Sequence, residues 1–446
     1  SGNLNQAYNY AKKLEREDKD NFESNLIIGI KHLKNSRLDL ANKYFLKAKN
    51  KNSLFALNDY LAKYLHNWSN LNKQKFDEAT INLEKVSDKF QNFNKIQKVF
   101  LNCYYDHPDT DRVFNELVSD ENVDFSRYNY FYANYLISAG KSRDAIYIIN
   151  ESLKKYPRNL LINQFKIDFK NQKKKINFDC KKEKDVIAEI LYISANALAS
   201  QSIFPLSNFY LNLAIYLNDD FKAFEILLAE NLYNTKNYSR AKKTFEKIGK
   251  YGTAFRWHSS KQISRILLLE DKKSRSLNNL KEAYNNLLLK RVYETFDYAE
   301  FLKNNEKFKE SIKYYTEVLN IIDDKHSLFT SATDGRGVAY ERMGEWDKAE
   351  SDLLASLKVD PDQAYVINYL AYSWIEKGIK IEKSLNMLKK ANRIKSNDPY
   401  IIDSLGWALF KLERFQESKN YLQLAVRLMP ADPIVNDHYG DVLWKN

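Results

Sequence analysis

Apolar residues recur along this chain at helical spacing, in paired runs that are repeated many times. Gly337, Tyr340, Gly344, Trp346, Ala349, Leu353 and Pro361 set out one unit. The same order of small, large, turn, small, large and proline positions returns as Ala133, Leu136, Gly140, Ala145, Ile149 and Pro157. It returns again as Gly406, Leu409, Phe415, Ser418, Leu422 and Pro430. Residues three and four apart share one face of a helix, so each unit predicts two short amphipathic helices joined by a tight turn. A recurrence of ~34 residues marks a solenoid, because one helical pair cannot bury its own apolar stripe and needs a neighbour to cover it. The expected fold class is therefore all-α, an α-solenoid or superhelix of stacked helix-turn-helix repeats.

The units are sharpest over residues 330–432 and fade toward the start. Leu370, Ala371, Trp374, Gly378, Ser384, Leu388 and Ala391 form a unit with one residue added in the turn. Ala299, Leu302, Phe308, Ser311 and Tyr315 form another, as do Ala229, Leu232, Tyr238, Ala241 and Phe245. Ala195, Leu198, Ser207, Leu211 and Ala214 precede these, and weaker units carry Phe76, Ala79, Leu83 and Val86, or Gly29, Leu38, Ala41, Phe45 and Ala48. Residues 253–290 predict a degenerate pair around Ile263, Leu267, Leu280 and Ala283, and residues 93–125 match poorly. About a dozen units are expected on this period. Ala or Gly at the crossing positions lets helix axes approach to the short end of the usual 8–10 Å. Asp398-Pro399 and Asp432-Pro433 place a carboxylate at the N-cap and proline in the first turn, where its missing N–H does no harm. The small-x2-large, small-x3-large, proline pattern resembles the tetratricopeptide repeat (TPR) family, and the last units are similar to those of alphaproteobacterial TPR scaffolds.

Between Pro157 and about Asp185 the period is interrupted, by roughly one helix around Phe165, Ile167 and Phe169 and by a loop with Lys173, Lys174, Lys175, Lys181, Lys182 and Lys184. The expected organisation is an N-terminal arm at 1–159, an irregular Lys-rich insertion at 160–187 and a C-terminal arm at 188–446. The lysines read as a solvated loop in preference to a nucleic-acid patch. Gly2, Ala7, Ala11 and Leu14 read as a second helix without its first, and Tyr439, Gly440, Leu443 and Trp444 as a first helix without its second. Both ends are expected to continue in the natural protein.

Composition alters this picture little. Lys+Arg number 70 against 58 Asp+Glu, a net charge of +12. Lys, Asn, Ile, Tyr and Phe are enriched together, which is what an AT-rich genome produces without selection for an anionic partner. Mean hydropathy is −0.59 and no apolar run reaches the ~20 residues of a membrane helix, so no transmembrane segment is expected in this chain. No signal-peptide pattern is visible at the start. Cys103 and Cys180 exclude a disulfide framework and show no metal or redox spacing. A single bridge between them stays open, with separately packed thiols the commoner outcome. The six histidines are scattered, and His438 with Asp437 and Asp441, the nearest thing to a ligand cluster, reads as an exposed polar face. With no phosphate-cradling loop, nucleophile elbow or convergent acid-base set, no catalytic residue, metal or cofactor is expected.

What the resemblance implies is a concave groove lined by first helices, with positions two, five, nine and twelve of each unit facing a partner. In this sequence those are Tyr365, Asn368 and Tyr372, then Tyr400, Asp403, Trp407 and Phe410, then Asp437 and Asp441. Family members that clamp a terminal carboxylate use Lys and Asn at positions five and nine. Here Asp403 and Trp407 replace them, which argues against that clamp. An aromatic groove with acidic edges suits a protein or peptide segment with apolar anchors and basic flanks, and Tyr372 and Trp407 have the alternative of packing on the next unit. The expected function is a non-catalytic protein-interaction scaffold, with a periplasmic or envelope location favoured over the cytoplasm. The alternative is the substrate-recognition arm of a larger enzyme such as an O-linked glycosyltransferase. Nucleic-acid binding is not expected, since the groove positions are acidic, and the oligomeric state is left open.

Overall fold

A computed structural model describes residues 3–49, 56–86, 91–171 and 177–445. The described residues form α-helices, two 3₁₀ turns and connecting turns, with no strand among them. The chain divides into two compact units, Ser1–Leu288 and Leu289–Asn446. The insertion read from the sequence does not coincide with this division. Its helix forms around Phe165, Ile167 and Phe169, whereas Lys173, Lys174 and Lys175 lie outside the described residues, as does Gly2.

In the first unit, α1 (Leu4–Arg16) packs on the hairpin α2 (Phe22–Lys34) and α3 (Leu38–Lys49). Three hairpins follow: α4 (Ala56–Ser69) with α5 (Phe76–Glu84), α6 (Gln91–Tyr104) with α7 (Thr110–Val118), and α8 (Tyr128–Ser138) with α9 (Ser142–Lys155). α10 (Leu160–Lys170) packs on α8, α9 and the later α15 (Thr253–Leu269). α11 (Glu183–Ser200) pairs with α12 (Phe204–Leu217), α13 (Ala223–Asn234) with α14 (Tyr238–Ile248), and α15 with α16 (Lys273–Asn285). The second unit holds α17 (Val292–Asn304) with α18 (Phe308–Leu319), and α19 (Phe329–Arg342) with α20 (Trp346–Val359). It continues with α21 (Ala364–Glu376) and α22 (Ile381–Ile394), α23 (Pro399–Lys411) and α24 (Phe415–Leu428), and α25 (Pro433–Lys445) packed on α23 and α24.

The punctuation works as the sequence indicated. Asp398 Oδ1 accepts from the amides of Tyr400 (3.1 Å) and Ile401 (3.2 Å), and Asp432 Oδ1 accepts from those of Ile434 (3.0 Å) and Val435 (3.1 Å). These bonds satisfy helix-start donors that have no intrahelical partner. Most hairpin turns, though not the one between α4 and α5, contain a left-handed residue. Gly140, Gly344 and Gly378 supply it in three turns (φ 77°, 78° and 66°), while Ser36, Ser202, Lys236, Asp271, Glu306 and Glu413 adopt it elsewhere.

The crossings explain the small residues. Ala145, Ala241 and Ala349 are fully buried where paired helices meet. At Gly406 a Cβ would lie 2.7 Å from Leu422 Cγ and 3.2 Å from the Leu422 backbone nitrogen, so only glycine allows α23 and α24 to come this close. The second-helix serine at several crossings also makes a defined bond. Ser207 Oγ donates to Ala195 O (2.7 Å), Ser276 Oγ to Ser264 O (2.8 Å) and Ser418 Oγ to Gly406 O (2.7 Å), each spanning 12 residues. Burying a hydroxyl is tolerated there because the partner helix offers a carbonyl. In the first unit the packed faces merge into a continuous core that runs from Phe22 to Leu227.

Candidate functional site

Stacked helical pairs leave their first helices as a wall, and the two units treat that wall differently. In the first unit it is covered by the chain itself. α11 packs on α4, and α12 packs on α2. Tyr210 on α12 donates to Asn58 Oδ1 on α4 (2.7 Å), and Lys34 on α2 reaches Asp219 just after α12 (3.2 Å). On α6, Tyr104 donates to Glu183 of α11 (2.7 Å). Cys103, its neighbour, is joined to Cys180 in a disulfide with Cα atoms 6.0 Å apart. This corrects the expectation of two separately packed thiols.

At the start of α8, Arg127 donates to Glu189 of α11 through Nε (2.7 Å) and Nη2 (2.8 Å). Its guanidinium stands 3.9 Å from the Tyr192 ring centre. Burial by itself lowers the basicity of Arg127, but the Glu189 carboxylate outweighs it and holds the guanidinium charged. Phe178 and Phe221 complete the seal, each packing against Phe131 of α8 (4.4 and 5.7 Å between ring centres). A segment that touches α2, α4, α6 and α8 lies along the wall these helices make. The groove read from the sequence is thus occupied in this unit by α11, α12 and their flanks. One signal for this was in the sequence. Val186, Ile187, Ala188, Glu189, Ile190 and Leu191 are six consecutive residues, five of them apolar, and all are buried. A helix apolar on every side is one packed on every side.

In the second unit the wall residues anticipated from the repeat register fall into two groups. Tyr365 on α21 and Tyr400 on α23 are each 56% exposed. Tyr365 donates to Asp398 Oδ2 (3.0 Å) and lies under the Lys395 ammonium, 4.3 Å from its ring centre. Asn368 and Tyr372 are half-buried, and the Asn368 side-chain carbonyl has no hydrogen-bond partner. Burial pushes the Tyr372 phenol up to about 12, with Glu376 and Asp403 adding to it.

Asp403 and Trp407 are only 5% and 7% exposed, and their surroundings are those of packed residues. The Trp407 indole donates to Glu376 Oε1 (2.7 Å) and stacks on His438 (4.0 Å between centres, 14°) and on Phe410 (4.8 Å, 5°). Phe410 is half-buried and meets Phe415 edge-on. His438 Nδ1 lies 3.0 and 3.1 Å from the two Asp403 oxygens, the geometry of an imidazole N–H donating to a carboxylate. The exposed-face reading of His438 is therefore corrected: it is buried, and it fastens α25 to α23 through Asp403 and Trp407. Asp437 and Asp441, on either side of it, remain exposed and are not brought to it as ligands.

Burial shifts titratable groups elsewhere as well. Burial pushes the Asp334 carboxyl on α19 up to about 6, opposed by Lys303. In the first unit burial brings His258 down to about 4, and Glu230, 3.8 Å away, is raised by burial as well. Among the described residues no group of three or more His, Cys, Asp or Glu is placed to hold a metal, and no helix is long and apolar enough to cross a membrane.

No protein-family model matches the chain. A curated relative, the TPR repeat-containing protein PA4667 of Pseudomonas aeruginosa, is 29% identical over 150 residues. That match covers 32% of this chain and 23% of the relative, so only about a quarter of the relative is spanned. Among solved structures, PilW, described as a type IV pilus biogenesis factor, aligns at 17% identity with a TM-score of 0.39, over 50% of this chain and 98% of its own. The C-terminal part of a TPR repeat-containing protein from Cytophaga hutchinsonii aligns at 13% identity with a TM-score of 0.39, over 55% and 98% respectively. The repeat positions, the crossing geometry and the curated relative agree in making this chain similar to tetratricopeptide repeat proteins.

Proposed function

We propose that this protein is a non-catalytic interaction scaffold whose second unit, Leu289–Asn446, binds a protein or peptide segment along the wall formed by α21, α23 and α25. The observation that carries this reading is the contrast between the two walls. The first is sealed by α11 and α12, whereas the second keeps Tyr365 and Tyr400 in solvent one repeat apart. Aromatic side chains exposed in register are the usual anchors of such contacts. The half-buried Asn368 beside them has a free carbonyl that can accept an N–H from an extended backbone. Asp437 and Asp441, exposed on α25, favour a segment with basic flanks. Trp407 and Asp403 would support this wall from behind.

The disulfide supports an extracytoplasmic setting. Both cysteines of the chain are used in it, and such bonds persist in the periplasm or outside the cell and are rare where thiols are kept reduced. A role in cell-envelope assembly fits that compartment.

The test places a photo-crosslinking amino acid at position 372 and captures partners in the source cell, with and without Tyr365→Ser and Tyr400→Ser together. A crosslinked polypeptide that disappears in the double variant supports the reading. Capture that is indifferent to both substitutions, with the helix content intact, would overturn it.

A further inference from the structure

We propose that the first unit also carries a binding chamber for a single acyl chain with an anionic head group, enclosed by α8, α10, the start of α13 and α15. The chamber measures about 750 Å³ and is walled by Tyr130, Phe165, Phe169, Phe221, Tyr251 and Phe255. That volume falls within the ~300–1,000 Å³ of small-molecule sites.

Most polar groups of its lining are held by the protein, while the Asn177 side-chain carbonyl is left for one ligand donor. Asn134 donates to Tyr130 O (2.8 Å), and Gln164 donates to Asp168 Oδ1 (2.9 Å) while accepting from the Ala254 amide (3.0 Å). With Asn134 and Gln164 held by the protein, the ligand body that fits is mainly apolar. The rings do not form a slot for a flat molecule, since Tyr130 stands at 84° to Phe165 and 30° to Phe221. Walls set at unlike angles suit a flexible chain that bends along them and gains close contact throughout.

The lining also carries ammonium groups. Lys170 is exposed, and Lys222 is half-buried, donating to the Asp219 carbonyl with its ammonium 5.0 Å from the Tyr251 ring centre and 3.7 Å from Glu225, its remaining N–H groups being those that could reach a ligand. Asp168, the carboxylate in the lining, is already engaged by Gln164. Two ammonium groups beside an apolar chamber select a carboxylate or phosphate head over a neutral or cationic one.

The probe is cis-parinaric acid, a fluorescent eighteen-carbon fatty acid, titrated into the full chain. Saturable one-to-one binding is expected, with displacement by palmitate and about tenfold weaker displacement by methyl palmitate. Ala223→Trp and Ile137→Trp each place a large ring in the chamber, and each should weaken parinarate binding about tenfold or more. Lys222→Gln should reduce displacement by palmitate and leave that by its methyl ester unchanged. Circular dichroism identifies any variant that fails to fold, and the remaining tryptophan variant then decides. Absence of saturable binding, equal affinity in a folded tryptophan variant, or a methyl ester that competes as well as the acid would overturn the proposal. Displacement by a lysophospholipid at lower concentration than palmitate would identify the head group as phosphate.

Discussion

Replacing Glu189 with glutamine isolates the contact that fastens α11 to the wall of the first unit. The side chain keeps its shape and loses its charge, and Arg127 is left without its anion. Glu189 is fully buried and the Arg127 side chain only 19% exposed, so solvent cannot take over the carboxylate's place. Removing one partner from a buried pair typically costs about 3–5 kcal/mol, against a Coulomb attraction of ~4 kcal/mol at 4 Å and an effective dielectric of 20. The Tyr192 face, 3.9 Å from the guanidinium, survives the substitution and offsets part of the loss, which places the expected cost near ~3 kcal/mol. Hydrogen exchange followed by mass spectrometry reads this locally. Amides of α11 should exchange about a hundredfold faster in Glu189→Gln, since each 1.4 kcal/mol is tenfold, while those of α21 and α23 are unchanged. Arg127→Met combined with Glu189→Leu should restore most of the protection, because an apolar pair of similar volume needs no ionic partner. If α11 in Glu189→Gln exchanges at the wild-type rate, the pair does not hold the helix and the reasoning fails.

Three further outcomes follow from the same geometry. Asp334 has a folded-state value near 6 against an ordinary 3.8, so the native state binds a proton first and stability falls as pH rises through that window. Asp334→Asn should then stabilise the chain by about 1–2 kcal/mol at pH 7, with the gain gone near pH 4, and urea titrations across that range check it. Cys103→Ser with Cys180→Ser opens a crosslink spanning 77 residues and should destabilise the first unit by about 2–4 kcal/mol, read as a lower thermal midpoint that reductant does not lower further. Trp407→Ala should cost about 3–5 kcal/mol in the second unit, whereas Tyr400→Ala should stay within about 0.5 kcal/mol; similar values for the two would contradict their different burial.

Much of the fold was readable because a repeat restates its own geometry. Gly406, Ser418 and Leu422 announce a close crossing, and Asp398 and Asp432 announce where helices begin. The degenerate pair around Ile263 and Leu280 formed as its spacing indicated. Burial of His438 was within reach too. It lies 35 residues from Asp403 and 31 from Trp407, one period with a shift of a residue or a turn, which brings the three together on adjacent first helices. Periodicity speaks only for neighbours, however. Asn58 with Tyr210 (152 residues apart), Arg127 with Glu189 (62) and Cys103 with Cys180 (77) pair at separations unrelated to the repeat. They arise because the chain turns back after α10 and lays α11 and α12 over helices it has already built. The repeat register alone therefore gave no sign that in the first unit another part of the same chain covers the first helices.

That return of the chain organises the whole first unit, and zero-length carbodiimide crosslinking tests it directly. Lys34 and Asp219 lie 3.2 Å apart across 185 residues, and Lys181 lies 2.7 Å from Asp106 across 75. Both pairs should appear as isopeptide-linked fragments in a digest of the folded chain and vanish after unfolding in denaturant with reductant. A folded chain in which Lys34 links only to residues of its own or adjacent hairpins would show that α12 does not lie on α2, and would contradict the account.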